Sequence, residues 1–141
     1  MDYAPLIANW AVLSSTTTDG KIAEINALVV AGPDRLVPIV EVMDYLRSNN
    51  LWLPIKAAQA TSPGAAAAVD LNEDQRIVTM DFNLPIVGSM LADLVGRGLL
   101  TQAQSAALVA LKGTTMPWWQ SAGYPMPIGR GFLINAGLIT Q

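Results

Sequence analysis

The chain has 141 residues, enough for one domain with a sizeable core, and a formal net charge of −3. Hydrophobic residues make up 52% and charged residues only 13%, about half the ~25% usual in globular domains, so either neighbours cover part of the surface or small alanines inflate the apolar count. Cysteine and histidine are both absent, which excludes disulfides, Cys/His zinc sites, thiol nucleophiles, imidazole bases and a Ser-His-Asp triad.

The N-terminal stretch MDYAPLIANWAVLSS has an apolar segment from Leu6 to Leu13. Its head carries Asp2 and no Lys or Arg, and no A-x-A site follows, so it reads as an apolar arm over residues 1–18 rather than a secretion signal. Asp19 then caps a helix bearing Ile22, Ile25 and Leu28, which AGPD ends near Ala31. In RLVPIVEVMDYLRSNN, Ile39, Val42, Met43 and Leu46 recur with the period of an amphipathic helix, and Asn49 and Asn50 close it. Pro54 in LWLPIKAAQA suits a first helical turn. Residues 38–60 therefore read as helix, tight turn, helix. A DNA-reading helix would need more polar and basic side chains than Lys56 and Gln59, so this is an αα-hairpin of a core.

Ser62 and Pro63 open an alanine-rich helix suited to lie flat against a neighbour. In NLPIVGSMLADLVGRG, the residues Ile86, Val87, Met90, Leu91, Leu94 and Val95 form one apolar stripe, with Ser89 and Asp93 opposite. TQAQ at 101–104 matches a capping box and opens a helix to about Lys112, stopped by Gly113. Residues 84–112 thus form a second αα-hairpin. In the tail, Thr115 caps a short helix through Trp118 and Trp119, and a last one holds Phe132, Leu133 and Ile134. LVPI and RIVTM are extended and could pair, but two such segments make a poor sheet. The expectation is an all-α fold: a compact bundle of roughly five to seven short helices over 19–141, a single helical domain, with an extended N-terminal arm over 1–18. No apolar run approaches the ~20 residues of a membrane span, so no membrane partner is expected.

Chemistry-bearing patterns are few. DLNEDQRIVTMD places Asp70, Asn72, Asp74 and Asp81 at positions 1, 3, 5 and 12 of a calcium loop. Position 6 is Gln75 instead of glycine, and Asp81 is shorter than the usual glutamate. The competing reading has Glu73 and Asp74 in solvent, with Asp81 or Asn83 capping the next helix. Glu41 and Asp44 share one helix face, but glycosidase carboxylates face each other across a cleft, usually from different elements. No catalytic residue, cofactor or metal is expected. The eight basic residues never form a run, which speaks against nucleic-acid binding. Trp118 and Trp119 point about 100° apart on a helix, which suits one to the core and one to an interface. Trp10 in the arm is a third interface candidate.

The segments YLRSNNLWLPIKAA, VDLNEDQRIVTMDFNLPIVGSMLADLVGRGLLTQAQSAALVAL and WWQSAGYPMPIG resemble small proteins encoded among the structural genes of tailed bacteriophages, over about residues 38–130. The resemblance implies a non-enzymatic virion component of tail, baseplate or fibre, made in the host bacterial cytoplasm. Its partners would be other virion proteins, in a homo-oligomer or ring. A head–tail connector or capsid decoration protein, a soluble adaptor or regulatory protein that is never packaged, and a calcium-binding module remain as alternatives.

Overall fold

The computed structural model, which describes residues 1–141, has a helix where an extended arm was expected. Pro5 sits in the first turn of α1 (Ala4–Ala11), where its missing N–H costs nothing, and the Asp2 carboxylate accepts the Ala4 N–H at 2.9 Å. In chain order, α1 is followed by α2 (Thr18–Ala27), β1 (Val29–Ala31), β2 (Val37–Pro38), α3 (Ile39–Ser48), α4 (Trp52–Ala57) and α5 (Pro63–Glu73). Then come β3 (Thr79–Met80), α6 (Pro85–Gly96), α7 (Gln102–Ala110), β4 (Thr115–Pro117), α8 (Trp118–Ser121) and α9 (Arg130–Asn135). The fold is therefore mixed α/β, and the all-α expectation is corrected by two small antiparallel sheets, β1–β4 and β2–β3. The second pairs the LVPI and RIVTM segments, with Val37 opposite Met80 and Pro38 opposite Thr79.

Contacts divide the chain into two compact units, Met1–Pro33 with Thr114–Gln141, and Asp34–Gly113. The first unit is built from both chain ends. Leu6, Trp10, Ile25, Tyr124, Ile128 and Leu133 form its core. Leu28 leaves helical geometry, so β1 stands where α2 was expected to continue, and it pairs with β4 through Val29 opposite Pro117 and Ala31 opposite Thr115. Thr115 therefore lies in a strand and does not cap the tryptophan helix, which starts after Pro117. The cap of α2 is Thr17, whose hydroxyl accepts the Gly20 N–H at 3.0 Å; Asp19 instead pairs with Arg130 at 2.8 Å. The Asn26 amide clasps the Ile128 backbone, donating to its carbonyl and accepting its N–H, both at 2.8 Å.

The second unit is mainly helical. Val42, Met43, Leu46, Trp52, Ile55, Val87, Met90, Leu91 and Leu94 lie in one core with Ala65, Ala68 and Val69. Ser62 caps α5 by accepting the Ala65 N–H at 3.0 Å. The capping box of α7 is complete: Thr101 Oγ1 accepts the Gln104 N–H at 3.1 Å, and Gln104 Oε1 accepts the Thr101 N–H at 2.9 Å. The alanine face of α5 lies against α6. A Cβ on Gly64 would sit 2.8 Å from the Met90 carbonyl oxygen, so this approach requires glycine. Asp93, expected to face solvent, joins the two helices: its carboxylate accepts the Ser62 hydroxyl at 2.6 Å, the Gly64 N–H at 2.9 Å and Arg97 at 3.0 Å. Those donors, the Ser62 hydroxyl foremost, hold its pKa below the ordinary carboxylate value.

Candidate functional site

The structure places the three tryptophan candidates on their own unit. Trp10 is 8% exposed, in the core beside Leu6 and Ile25, with the Lys21 ammonium 5.3 Å from its ring centre. Trp118 and Trp119 are half-buried against that core, and the Trp118 ring lies 5.9 Å from that of Tyr124. The Tyr124 hydroxyl donates to the Asp2 carbonyl at 3.0 Å, and burial pushes its pKa up.

The calcium-loop residues do not gather around one point. Asp70 and Asn72 lie on α5, with the Asn72 amide donating back to the Ala68 carbonyl at 2.7 Å. Asp74 ends that helix and holds Arg76 at 2.9 Å, a contact that lowers its pKa. Asp81 accepts the Asn83 N–H at 2.9 Å in a tight turn. The cap position of α6 is Leu84, with no side-chain bond, so neither Asp81 nor Asn83 caps that helix. No three acidic side chains come together as metal ligands would. Glu41 and Asp44 are separated chemically. Glu41 takes a two-pronged bond from Arg35, which lowers its pKa, while Asp44 is exposed on α3.

The turn between α3 and α4 builds a concave site that the helical period did not reveal. α3 ends in a Schellman turn: the Leu51 N–H donates to the Leu46 carbonyl at 2.8 Å and the Asn50 N–H to the Arg47 carbonyl at 3.1 Å. This puts Asn50 at φ 56°, a left-handed conformation that asparagine tolerates better than most residues. The chain then enters α4 at once with three large apolar residues in succession, Leu51, Trp52 and Leu53. Successive helical residues diverge by about 100°, so they cannot all face inward. Trp52 is buried, while Leu53 is left 77% exposed. Together with Pro54, Arg47 and Asn50 they line a pocket of about 360 Å³, within the range of small-ligand sites.

Its electrostatics are distinctive within the molecule. Arg35, Lys56, Arg76, Arg97, Lys112 and Arg130 each hold a carboxylate within ion-pair distance. Lys21 donates to the Trp10 carbonyl at 3.3 Å. Arg47 is the remaining basic side chain; its guanidinium makes no hydrogen bond and no ion pair, and it stands at the pocket. The signal that could have found this site was the run Leu51-Trp52-Leu53 directly after an Asn-Asn turn, four residues beyond Arg47.

No protein-family model, curated protein or solved structure matches this chain. No helix is long and apolar enough to cross a membrane.

Proposed function

We propose that this protein is a non-enzymatic structural component of a tailed bacteriophage particle, associated with tail, baseplate or fibre, and that it acts by protein–protein contact in a symmetric assembly. The observation that carries this reading is where the charged and apolar side chains go. Six ion pairs take up six of the eight basic side chains, and four of those pairs join separate segments of the chain. Large apolar side chains meanwhile stand in water, among them Leu36, Val40, Leu53, Val78 and Ile86 of the 34–113 unit. A surface poor in free charge and well supplied with exposed aliphatic groups suits burial against other proteins more than chemistry on a substrate. The resemblance over residues 38–130 supplies the setting.

Quantitative mass spectrometry of purified, salt-washed particles tests this reading. A fixed copy number that is a multiple of three, five or six supports a ring or vertex component. Absence from washed particles overturns it in favour of a soluble adaptor made in infected cells.

A further inference from the structure

We infer that α1 is an exchangeable strap: it closes the aromatic core of its own chain, and it can leave that bed to occupy the same bed on a second copy. The inference deepens the reading of a symmetric assembly, by naming a contact between copies, and rests on it for its role. The occupant is fixed by what the bed already holds. Leu6 is fully buried and Trp10 nearly so, in one core with Ile25, Tyr124 and Leu133. Polar groups complete the fit. The Tyr124 hydroxyl donates to the Asp2 carbonyl at 3.0 Å, and Lys21 donates to the Trp10 carbonyl at 3.3 Å with its ammonium over the indole. A copy of this segment is the partner for which each of these contacts is already in place.

The connector decides whether α1 sits on its own chain or on a copy. An exchanged helix regains the apolar and polar contacts of its bed, so these cancel between the closed chain and the exchanged pair. Leu13 packs on the same core directly after α1 and travels with it. What differs is the path of residues 14–16, which turns α1 back in the closed chain and runs on to a neighbour in the exchanged pair. One side chain holds that path in the closed chain. The Glu24 carboxylate accepts the Ser14 N–H at 2.8 Å, the Ser14 hydroxyl at 2.9 Å and the Ser15 N–H at 2.9 Å. Residues 14–16 make no other hydrogen bond. The two N–H groups, that of Ser14 foremost, hold the Glu24 pKa below the ordinary carboxylate value, so the acceptor is charged. α2 leaves room for the path at Gly20, where a Cβ would fall on the Ser15 hydroxyl. Glu24 is therefore the latch that favours the closed chain.

The test uses the full chain in sedimentation velocity over a range of concentrations. The unsubstituted chain is expected to be mainly monomeric at micromolar concentration. An exchanged pair gives up two latches, each worth about tenfold in the equilibrium. Glu24→Ala is therefore expected to raise the dimerisation constant about a hundredfold. Gly20→Ala, which pushes Ser15 off α2 by sterics instead of charge, should shift it the same way. Asp19→Ala is the control. It breaks the 2.8 Å ion pair with Arg130 in the same unit, a contact present in both forms, and should leave dimerisation unchanged. In a dimer mixed from 13C-labelled and unlabelled chains, isotope-filtered NMR should show contacts between Tyr3 of one chain and Tyr124 of the other, whose ring centres lie 6.5 Å apart in the closed chain.

Glu24→Ala and Gly20→Ala chains that both stay monomeric up to millimolar concentration overturn the inference. So does a dimer with no contact between Tyr3 and Tyr124 of different chains, which would be a surface contact with α1 left in place. An Asp19→Ala chain that dimerises as strongly as Glu24→Ala also overturns it, because lost stability alone would then drive association. Absence of the protein from phage particles would leave the sedimentation and NMR results untouched, so the two failures are distinguishable.

Discussion

Around Tyr124, packing is done by rings: Tyr3, Trp118 and Phe132 stand 6.5, 5.9 and 5.5 Å from it, centre to centre. Around Leu94 it is done by aliphatic and methionine side chains on successive helices, with alanines letting α5 approach α6. The polar fastenings differ in reach as well. In the unit made of 1–33 and 114–141, Asn26 clasps Ile128 across 102 positions, and Tyr124 reaches the Asp2 carbonyl across 122. In the 34–113 unit the bond of Arg35 to the Leu111 carbonyl spans 76 and that of Ser62 to Asp93 spans 31. The first unit is closed across more of the chain than the second. Closing distant pieces costs more chain entropy before contacts repay it, and it leaves less of the fold readable from local pattern.

The largest effect that would test this contrast is a cavity in the aromatic unit. Leu133 has no exposed surface, and Leu133→Ala should cost about 2–5 kcal/mol by chemical denaturation. Native-state hydrogen exchange should show the loss of protection concentrated in 1–33 and 114–141. An equal loss across 34–113 would mean the two units open as one and would remove the contrast.

Gly64→Ala probes the other unit. In an ordinary helix this change stabilises; here the new methyl meets the Met90 carbonyl oxygen at 2.8 Å, so a loss of about 1–3 kcal/mol is expected. A rise in melting temperature would show that α5 and α6 are not so closely packed. Thr101→Ala should cost about 1 kcal/mol by removing half of the capping box. Its exchange signature should stay within α7 and the adjoining turn.

Acidification sharpens the comparison further, with the smallest effect per group. In the 34–113 unit Asp34, Glu41, Asp74 and Asp93 all have lowered pKa values, chiefly through hydrogen bonds from Asn83, Arg35, Arg76 and Ser62 respectively. In the other unit only Glu24 does, held by the Ser14 and Ser15 N–H groups. A folded-state pKa below the unfolded one adds stability that is present above the unfolded value and is lost as pH falls through the folded one. Below about pH 4, the ordinary carboxylate value, amides of 34–113 should therefore lose protection before those of 1–33 and 114–141. Asp93→Asn should lower stability at neutral pH and flatten part of the acid dependence. Simultaneous loss in both units would refute this ordering.

Local signals read the 34–113 unit well because its elements are long enough to repeat. Val42, Met43 and Leu46 on α3, the Ser62 cap and the reciprocal Thr101–Gln104 cap all lie where periodicity and capping chemistry put them. The stripe on α6 holds at Val87, Met90, Leu91 and Leu94, while Ile86 turns outward at 62% exposure. Four strands of two or three residues are too short to show an alternation, and Pro38 and Pro117 argue against strand from sequence. Both strands with proline lie in two-stranded sheets, where an edge position tolerates the missing donor. Nothing local marks Thr115 as a partner of Ala31, or Asn26 as the clasp of Ile128.

The sequence by itself determined which chemistries are closed to this protein, since no imidazole or thiol is available, and where its longer helices begin, since caps and apolar periods act within a few residues. Only the tertiary structure decided that the N-terminal segment folds as a helix onto its own unit, that Asp93 faces α5 instead of water, and that Arg47 is the basic side chain left without a partner. Partnership among side chains depends on which distant segments the backbone brings within about 3 Å, and a single chain read along its length does not contain that distance.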